Sequence, residues 1–127
     1  MDWLSSRAEV DALPVGLFGA STGAAAALGV AAAQPGRIAA VVSRGGRPDL
    51  AGDALRTVAA PTLLLVGGED DLVIALNESA ARRLHCVHEV RIVPGATHLF
   101  EEPGTLEQVA EHARDWFLRY CVAHVPV

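Results

Sequence analysis

The sequence predicts an α/β fold, a three-layer sandwich of about four parallel strands with helices on both faces. Three observations support this prediction. Short apolar runs alternate four times with segments of helical periodicity, which is the pattern of a parallel sheet with crossover helices. The first run, Val15 to Phe18, is apolar on both strand faces, as a parallel strand covered by helices should be. The 127 residues are 51% hydrophobic, which is enough for the core of one domain spanning residues 1–127.

The first half of the chain is expected to hold two strands and the helices around them. Pro14 should stop an initial helix, because proline cannot continue one. The next helix is apolar all round and should therefore be buried on more than one side. The predicted elements are the end of a helix at residues 2–13, a strand at Val15 to Phe18, a helix from Thr22 to about Ala33, a strand at Ile38 to Val42, and a short helix from Leu50 or Ala51 to Val58.

The second half of the chain repeats the alternation twice. Val87 to Val93 alternates apolar and polar residues, which suits a strand near the edge of the sheet. Thr105 is expected to cap the last helix, with Glu107 or Gln108 placed for a capping box. The predicted elements are a strand at Thr62 to Val66, a helix around Val73 that runs to about His85, a strand at Val87 to Val93, and an amphipathic helix from Thr105 through Tyr120.

A serine between glycines follows the first predicted strand. The residues Gly19-Ala20-Ser21-Thr22-Gly23 match the pattern G-x-S-x-G, with an apolar strand before them and a small-residue helix after them. A serine on such a turn has a strained backbone, and Gly19 and Gly23 are expected to supply the clearance. The Thr22 N–H opens the helix and would point at an oxygen that becomes negative during a reaction. The alternative is a connection that only packs closely or holds a phosphate at the helix N-terminus.

Two more reactive side chains follow strands of the same sheet. Ser21 follows the first strand, Asp70 the third and His98 the fourth, and the carboxyl ends of parallel strands meet at one edge. Histidine can take the serine proton, while a carboxylate fixes the imidazole and stabilises its charged form. Taken singly, a loop aspartate is usually a turn former and a lone histidine usually a packing residue. Asp71 is adjacent to Asp70, and the general pattern accepts either as the acid of a triad.

Composition excludes several classes of function. The formal charge is −5 and no basic run could follow a phosphate backbone, so we expect no nucleic-acid partner. All ten basic residues are arginines, which removes lysine Schiff-base chemistry. Cys86 and Cys121 have no metal-ligand spacing, so we expect no metal, no cofactor and a reduced, cytoplasmic setting. No apolar stretch is long enough to span a bilayer, so no membrane association is expected.

Four segments together resemble the C-terminal half of an α/β-hydrolase of the dienelactone hydrolase-like family. The resemblance is strongest to hydrolase domains attached to phosphoribosyltransferase domains, whose Gly-Gly-x-Asp pattern favours Asp70 over Asp71. The resembling segments are Gly16 to Gly23, Val41 to Leu50, Pro61 to Asp70 and Val93 to Gly104.

The resemblance implies a shortened hydrolase fold that lacks the N-terminal strands. The loop that completes the oxyanion hole would belong to that missing half, which leaves Thr22 as the donor from this chain. The edge of the sheet near Val15 to Phe18 would be open, so we expect a homo-oligomer or another association there.

Three functions remain open on the sequence. The first is a serine hydrolase that cleaves an ester, lactone or thioester of a small-molecule substrate through an acyl-enzyme. The second is a non-catalytic interaction or regulatory domain that retains the triad. The third is a phosphate-binding module that uses Arg44 and the helix at Thr22. Arg44 and Arg47 are candidates for binding a substrate carboxylate or phosphate, although arginines in a glycine-rich loop are more often solvated or paired with a nearby acid such as Asp49.

Overall fold

The computed structural model describes residues 15–121, in which four strands alternate with helices. The initial helix expected at residues 2–13 lies outside this range. Strands and helices begin and end within a few residues of the predicted positions. The elements are β1 (Val15–Ala20), α1 (Thr22–Ala33), β2 (Ile38–Arg44), a 3-10 segment (Pro48–Thr57), β3 (Thr62–Gly67), α2 (Asp71–Ala81), β4 (His88–Val93) and α3 (Thr105–Cys121).

The strands form one parallel sheet in the order β1-β2-β3-β4. Chain order and sheet order coincide, so every connection is a crossover to the adjacent strand. Among residues 15–121 β4 is the last strand of the row, which confirms the prediction that Val87 to Val93 lies near an edge of the sheet. Because all four strands run the same way, the loops that follow them gather at one edge.

Helices cover both faces of the sheet, as predicted. On one face α1, the 3-10 segment and α2 pack on the sheet through an aliphatic cluster that includes Leu28, Leu55 and Leu64. On the other face α3 packs through Val109, Ala113 and Trp116. The indole N–H of Trp116 also donates to the Pro61 carbonyl at 3.1 Å, which ties α3 to the start of β3. The three-layer α/β sandwich is therefore confirmed.

The expectation that α1 is buried on more than one side is wrong within the described residues. Its buried positions are Ala24, Leu28 and Ala31, which form a single stripe against the sheet. The opposite side is exposed, and Val30 has 41% of its surface accessible there. An apolar helix with one apolar side in solvent leaves a surface that another layer could cover.

Two local predictions about helices need correction. The short helix after β2 is a 3-10 segment that begins at Pro48 and is interrupted at Gly52, whose φ of 59° only glycine adopts readily. Thr105 is the first residue of α3 and does not cap it through its own side chain as an acceptor. Its hydroxyl donates backward to the carbonyls of Phe100 (3.0 Å) and Glu102 (2.8 Å).

Candidate active site

The turn at Ser21 has the strained backbone that the glycine pattern predicts. Ser21 has φ 50° and ψ −125°, one of two non-glycine residues with positive φ in residues 15–121. A Cβ on Gly19 would lie 2.5 Å from the Gly23 carbonyl oxygen, so that position requires glycine. A Cβ on Gly23 would meet nothing within 4 Å, so the expectation that Gly23 supplies clearance by lacking a side chain is wrong.

Ser21, His98 and Asp70 lie at the carboxyl edge of the sheet, with the His98 imidazole between the other two side chains. Ser21 Oγ is 3.4 Å from His98 Nε2, and His98 Nδ1 is 2.9 Å from Asp70 Oδ2. Catalytic hydrogen bonds are often this long before substrate binds. The His98 side chain is 43% exposed and that of Asp70 is 17% exposed. The imidazole is therefore accessible from solvent, while the Asp70 carboxylate is largely shielded.

The two adjacent aspartates, Asp70 and Asp71, differ in what their carboxylates contact. Asp70 immediately precedes α2, and its carboxylate faces His98. Asp71 is the first residue of α2 and is exposed. A carboxylate in the first turn of a helix is favourable through the helix dipole. The geometry thus gives Asp71 a role in the helix and places Asp70 at the imidazole.

Backbone hydrogen bonds fix the peptide that follows the serine. The Ser21 carbonyl accepts from the Arg47 N–H (3.0 Å) and from the Ala24 N–H (3.2 Å). The same peptide carries the Thr22 N–H, and Thr22 is the first residue of α1. The first N–H groups of a helix have no acceptor within it and can bind an anionic oxygen.

A second network holds the loop that carries His98. The Thr97 N–H donates to Glu102 Oε1 (3.0 Å), and its hydroxyl donates to Glu102 Oε2 (2.8 Å). These hydrogen bonds, the backbone one first, hold the pKa of the Glu102 carboxyl below its ordinary value. Phe100 is buried with φ 55° and anchors the loop in the core. The hydrogen bonds of Thr97 and the burial of Phe100 therefore fix the loop on both sides of His98.

The two candidate arginines differ in their surroundings. Arg47 is paired with Asp49 by two hydrogen bonds of 3.0 and 2.9 Å, so its guanidinium already has a carboxylate partner. The hydrogen bond with Asp49 raises the pKa of Arg47, and that with Arg47 lowers the pKa of Asp49. Arg44 ends β2 beside Ala20 and lies over the Phe100 ring, with Cζ 5.8 Å from the ring centre. The Arg44 side chain therefore lies near the His98 loop, and the Arg47 guanidinium is paired with Asp49.

No group of three or more histidine, cysteine or acidic side chains within residues 15–121 has the arrangement of a metal site. Over the same range, no helix has both the length and the apolar character needed to cross a bilayer. Cys86 and Cys121 are half-buried and free, and burial raises the pKa of both thiols. Raised pKa values make them poor nucleophiles at neutral pH.

Comparison with known families decides the relationship. The family model described as the dienelactone hydrolase family matches residues 1–121. The chain belongs to the dienelactone hydrolase family. The resemblance inferred from the four sequence segments is thereby confirmed, and the family's parallel α/β architecture agrees with the observed sheet.

Solved structures and curated proteins give further relatives. A dienelactone hydrolase from Anabaena variabilis superimposes with a TM-score of 0.88 at 55% identity, covering 94% of this chain and 56% of that protein. An esterase domain from Rhodothermus marinus gives a TM-score of 0.76 at 24% identity, covering 94% of this chain and 65% of the domain, and shows the fold alone. A Mycobacterium tuberculosis H37Rv protein, provisionally named phosphoribosyl transferase, is 62% identical over 117 residues, which is 91% of this chain and 26% of that protein.

The chain therefore spans about a quarter of the curated relatives that it matches. The relative's name agrees with the resemblance to hydrolase domains attached to phosphoribosyltransferase domains. Membership of the dienelactone hydrolase family places the chain in a family of hydrolases.

Three residues that support the site were not predicted from the sequence. Asn77 is buried on α2 and donates to the Gly46 carbonyl. Gly46 has no room for a side chain, and Glu102 braces the His98 loop. The loop glycine was visible in the sequence as part of Gly45-Gly46. An asparagine inside a helix carries no comparable signal, since its partner lies on another element.

Proposed function

We propose that this chain is the nucleophile-bearing part of a serine hydrolase that cleaves an ester, lactone or thioester through an acyl-enzyme. The observation that carries the proposal is the continuous arrangement of Ser21 Oγ, the His98 imidazole and the Asp70 carboxylate, with separations of 3.4 and 2.9 Å. Family membership supports the same conclusion. The Anabaena relative, 55% identical, is named a dienelactone hydrolase, which favours lactones and related esters among the possible substrates.

The reaction follows from the positions of the three side chains. His98 Nε2 takes the Ser21 proton as Oγ bonds to the substrate's acyl carbon, and Asp70 stabilises the resulting imidazolium through Nδ1. Collapse of the tetrahedral intermediate breaks the bond to the leaving oxygen or sulfur, which receives the proton from Nε2. Water then gives its proton to Nε2 and attacks the acyl-enzyme. The acid leaves, and the proton returns to Ser21.

The Thr22 N–H is the oxyanion donor that this chain would contribute. Hydrolases with this kind of serine turn use a second N–H from a loop that precedes the nucleophile strand. Loss of one donor lowers turnover by on the order of 10²–10³. With the Thr22 N–H as the single donor, we expect activated esters to be hydrolysed slowly.

The free edge of β1 is the proposed place where the remainder of the hydrolase fold associates. Among the described residues β1 pairs with β2 on one side and has no strand on the other. Phe18 on this strand is 50% exposed, and Val30 on the outer side of α1 is 41% exposed. A little under half of the Anabaena enzyme lies outside the match. We propose that an equivalent polypeptide segment covers this edge and supplies both a strand and the second N–H.

Hydrolysis of p-nitrophenyl acetate tests the catalytic proposal. The wild-type chain should release p-nitrophenolate faster than Ser21→Ala and His98→Ala, while Ser79→Ala on α2 serves as a matched control and should equal wild type. If folded wild type is no faster than Ser21→Ala, the hydrolase proposal fails for this chain, and a non-catalytic domain that retains the triad becomes the better account.

Co-expression with the unmatched part of the Anabaena enzyme tests the proposed association. We expect the two polypeptides to co-purify and the rate of ester hydrolysis to rise by about 10²-fold, the value of one oxyanion donor. A change of Phe18→Asp should weaken the association. A chain that remains a monodisperse monomer at micromolar concentration and takes up no such segment contradicts the proposal, and a symmetric dimer would identify a second copy as the occupant.

A further inference from the structure

Asn77 is a fully buried polar residue that the reaction described above does not use. It lies on α2 with none of its surface exposed, and its Nδ2 donates to the carbonyls of Val73 (2.8 Å) and Gly46 (3.0 Å). Its Oδ1 is buried with no hydrogen-bond partner among residues 15–121. A buried amide with an unsatisfied oxygen lowers stability relative to an apolar side chain. Stability therefore does not explain why an asparagine occupies this position. Its hydrogen bond to the Gly46 carbonyl is the feature that could have a function.

The acceptor of that bond belongs to a peptide that contacts the serine turn. The peptide between Gly46 and Arg47 is trans, so its C=O and N–H point in opposite directions. Its C=O accepts from Asn77, and its N–H, that of Arg47, donates to the Ser21 carbonyl at 3.0 Å. The peptide after Ser21 is also trans, and its N–H is that of Thr22. Two peptides thus connect the Asn77 amide to the Thr22 N–H.

We propose that Asn77 is a positioning residue that orients and polarises the Thr22 N–H through these two hydrogen-bonded peptides. The inference rests on the proposed function, in which the Thr22 N–H receives the negative oxygen of the tetrahedral intermediate. Each hydrogen bond in a chain of amides strengthens the next, by roughly 10–30% per bond. An oxyanion donor is effective only when it is fixed in the direction of the developing charge.

We call the two hydrogen-bonded peptides between Asn77 and the Thr22 N–H the relay. The packing around Gly46 fixes the position of the relay. A Cβ on Gly46 would collide with the Ser43 hydroxyl and with the Ala24 side chain in the first turns of α1. The Gly46 peptide is therefore held close against the start of α1. The Ala24 N–H gives the Ser21 carbonyl its second bond, at 3.2 Å. With both sides fixed, Asn77 determines how strongly the Arg47 N–H is drawn toward Ser21.

Asn77→Leu removes the relay donor and retains the side chain's approximate size. With a fluorophosphonate that labels Ser21, we expect the maximal labelling rate to fall about 10-fold, a part of the value of a whole oxyanion donor. The inhibitor concentration for half-maximal rate should stay within about twofold, because orientation of the donor acts on the transition state. The pH midpoint of labelling should not move, because His98 and Asp70 are untouched. Leu76→Ala, also on α2 and outside the relay, is the matched control and should label at the wild-type rate.

A nuclear magnetic resonance measurement tests the relay without reference to activity. The ¹⁵N shift of an amide responds to the hydrogen bond at the carbonyl of its own peptide, so the Thr22 amide should shift in Asn77→Leu and not in Leu76→Ala. If wild type is not labelled at Ser21, the proposed function fails, and this shift alone decides whether the relay exists.

Three results would overturn the inference while leaving the proposed function intact. The Thr22 resonance could stay unchanged in Asn77→Leu. It could move without any loss of labelling rate. The loss of rate could come with a shifted pH midpoint, which would indicate a disturbed His98. Should Asn77→Leu not fold, Asn77→Ala also removes the donor to the Gly46 carbonyl and is expected to give the same changes.

Discussion

Ser21 holds a backbone conformation of φ 50° that an ordinary residue adopts at a cost of about 1–3 kcal/mol. The surroundings of the residue impose it: Gly19 lets the helix backbone approach, and the Arg47 N–H binds the Ser21 carbonyl. The sequence predicted this strain from the glycine pattern alone. It could not show which backbone group restrains the turn, because Arg47 lies on the loop after the next strand.

Gly19 and Gly23 should respond oppositely to alanine. Gly19→Ala places a Cβ against the Gly23 carbonyl and should lower the free energy of unfolding by about 1–3 kcal/mol, as overpacking does. Gly23→Ala is the control, since it meets no atom and alanine favours a helix by about 0.5–1 kcal/mol. Urea denaturation followed by circular dichroism measures both. Equal destabilisation by the two changes would contradict the packing described for the turn.

Asp70 and Asp71 are neighbours with separable roles. Asp70→Asn removes the carboxylate that fixes the His98 tautomer and should lower the ester hydrolysis rate by on the order of 10³–10⁴. Asp71→Asn changes an exposed helix-terminal carboxylate and should cost less than about 1 kcal/mol of stability with little effect on rate. A steady-state comparison of the two variants tests the assignment. A larger loss of rate in Asp71→Asn would reverse it.

At the scale of elements, the loop from β4 to α3 depends on Glu102. Hydrogen bonds from Thr97 lower the pKa of this carboxyl in the folded chain. Its stabilising contribution is therefore present above the ordinary glutamate pKa of about 4.3 and is lost as pH falls through the lower folded value. Thermal melts of wild type and Glu102→Gln should differ near pH 7 and converge toward pH 3. A constant difference across that range would show that the Glu102 charge does not stabilise the loop.

The elements also show where sequence patterns stop being informative. Apolar runs located β1, β2 and β3, and the alternation of apolar and polar residues located β4 at the edge of the sheet. The hydroxyl of Thr105 was expected to accept at the start of α3, and it instead donates to Phe100 and Glu102. That choice depends on a loop whose path is set by Phe100 in the core. The kink at Gly52 likewise depends on its position between two 3-10 turns.

Across the described residues, the β1 edge of the sheet and the outer side of α1 lie uncovered, while helices pack on both faces of the sheet. Leu64 is fully buried in the cluster under α1 and α2, whereas Phe18 on β1 is half exposed. The sequence predicted the open edge through its resemblance to the C-terminal half of a hydrolase. It predicted burial of α1 on several sides from composition alone, and the described residues cover one stripe of that helix.

Shortening the side chains of Leu64 and Phe18 should change the free energy of unfolding by very different amounts. Leu64→Ala should lower the free energy of unfolding by about 2–5 kcal/mol, as core truncations do. Phe18→Ser should change it by about 0.5 kcal/mol or less, as surface changes do, and should reduce association with a segment that covers β1. Denaturant unfolding and sedimentation velocity measure the two effects. A large loss of stability in monomeric Phe18→Ser would show that this residue belongs to the core of the isolated chain.

The proposed function requires Ser21 to be an activated nucleophile. Intact-mass spectrometry after incubation with a fluorophosphonate tests it most directly, on wild type and on Ser21→Ala. We expect a single adduct on wild type and none on the variant. A folded wild-type chain that forms no adduct, or a variant that is labelled equally, would contradict it.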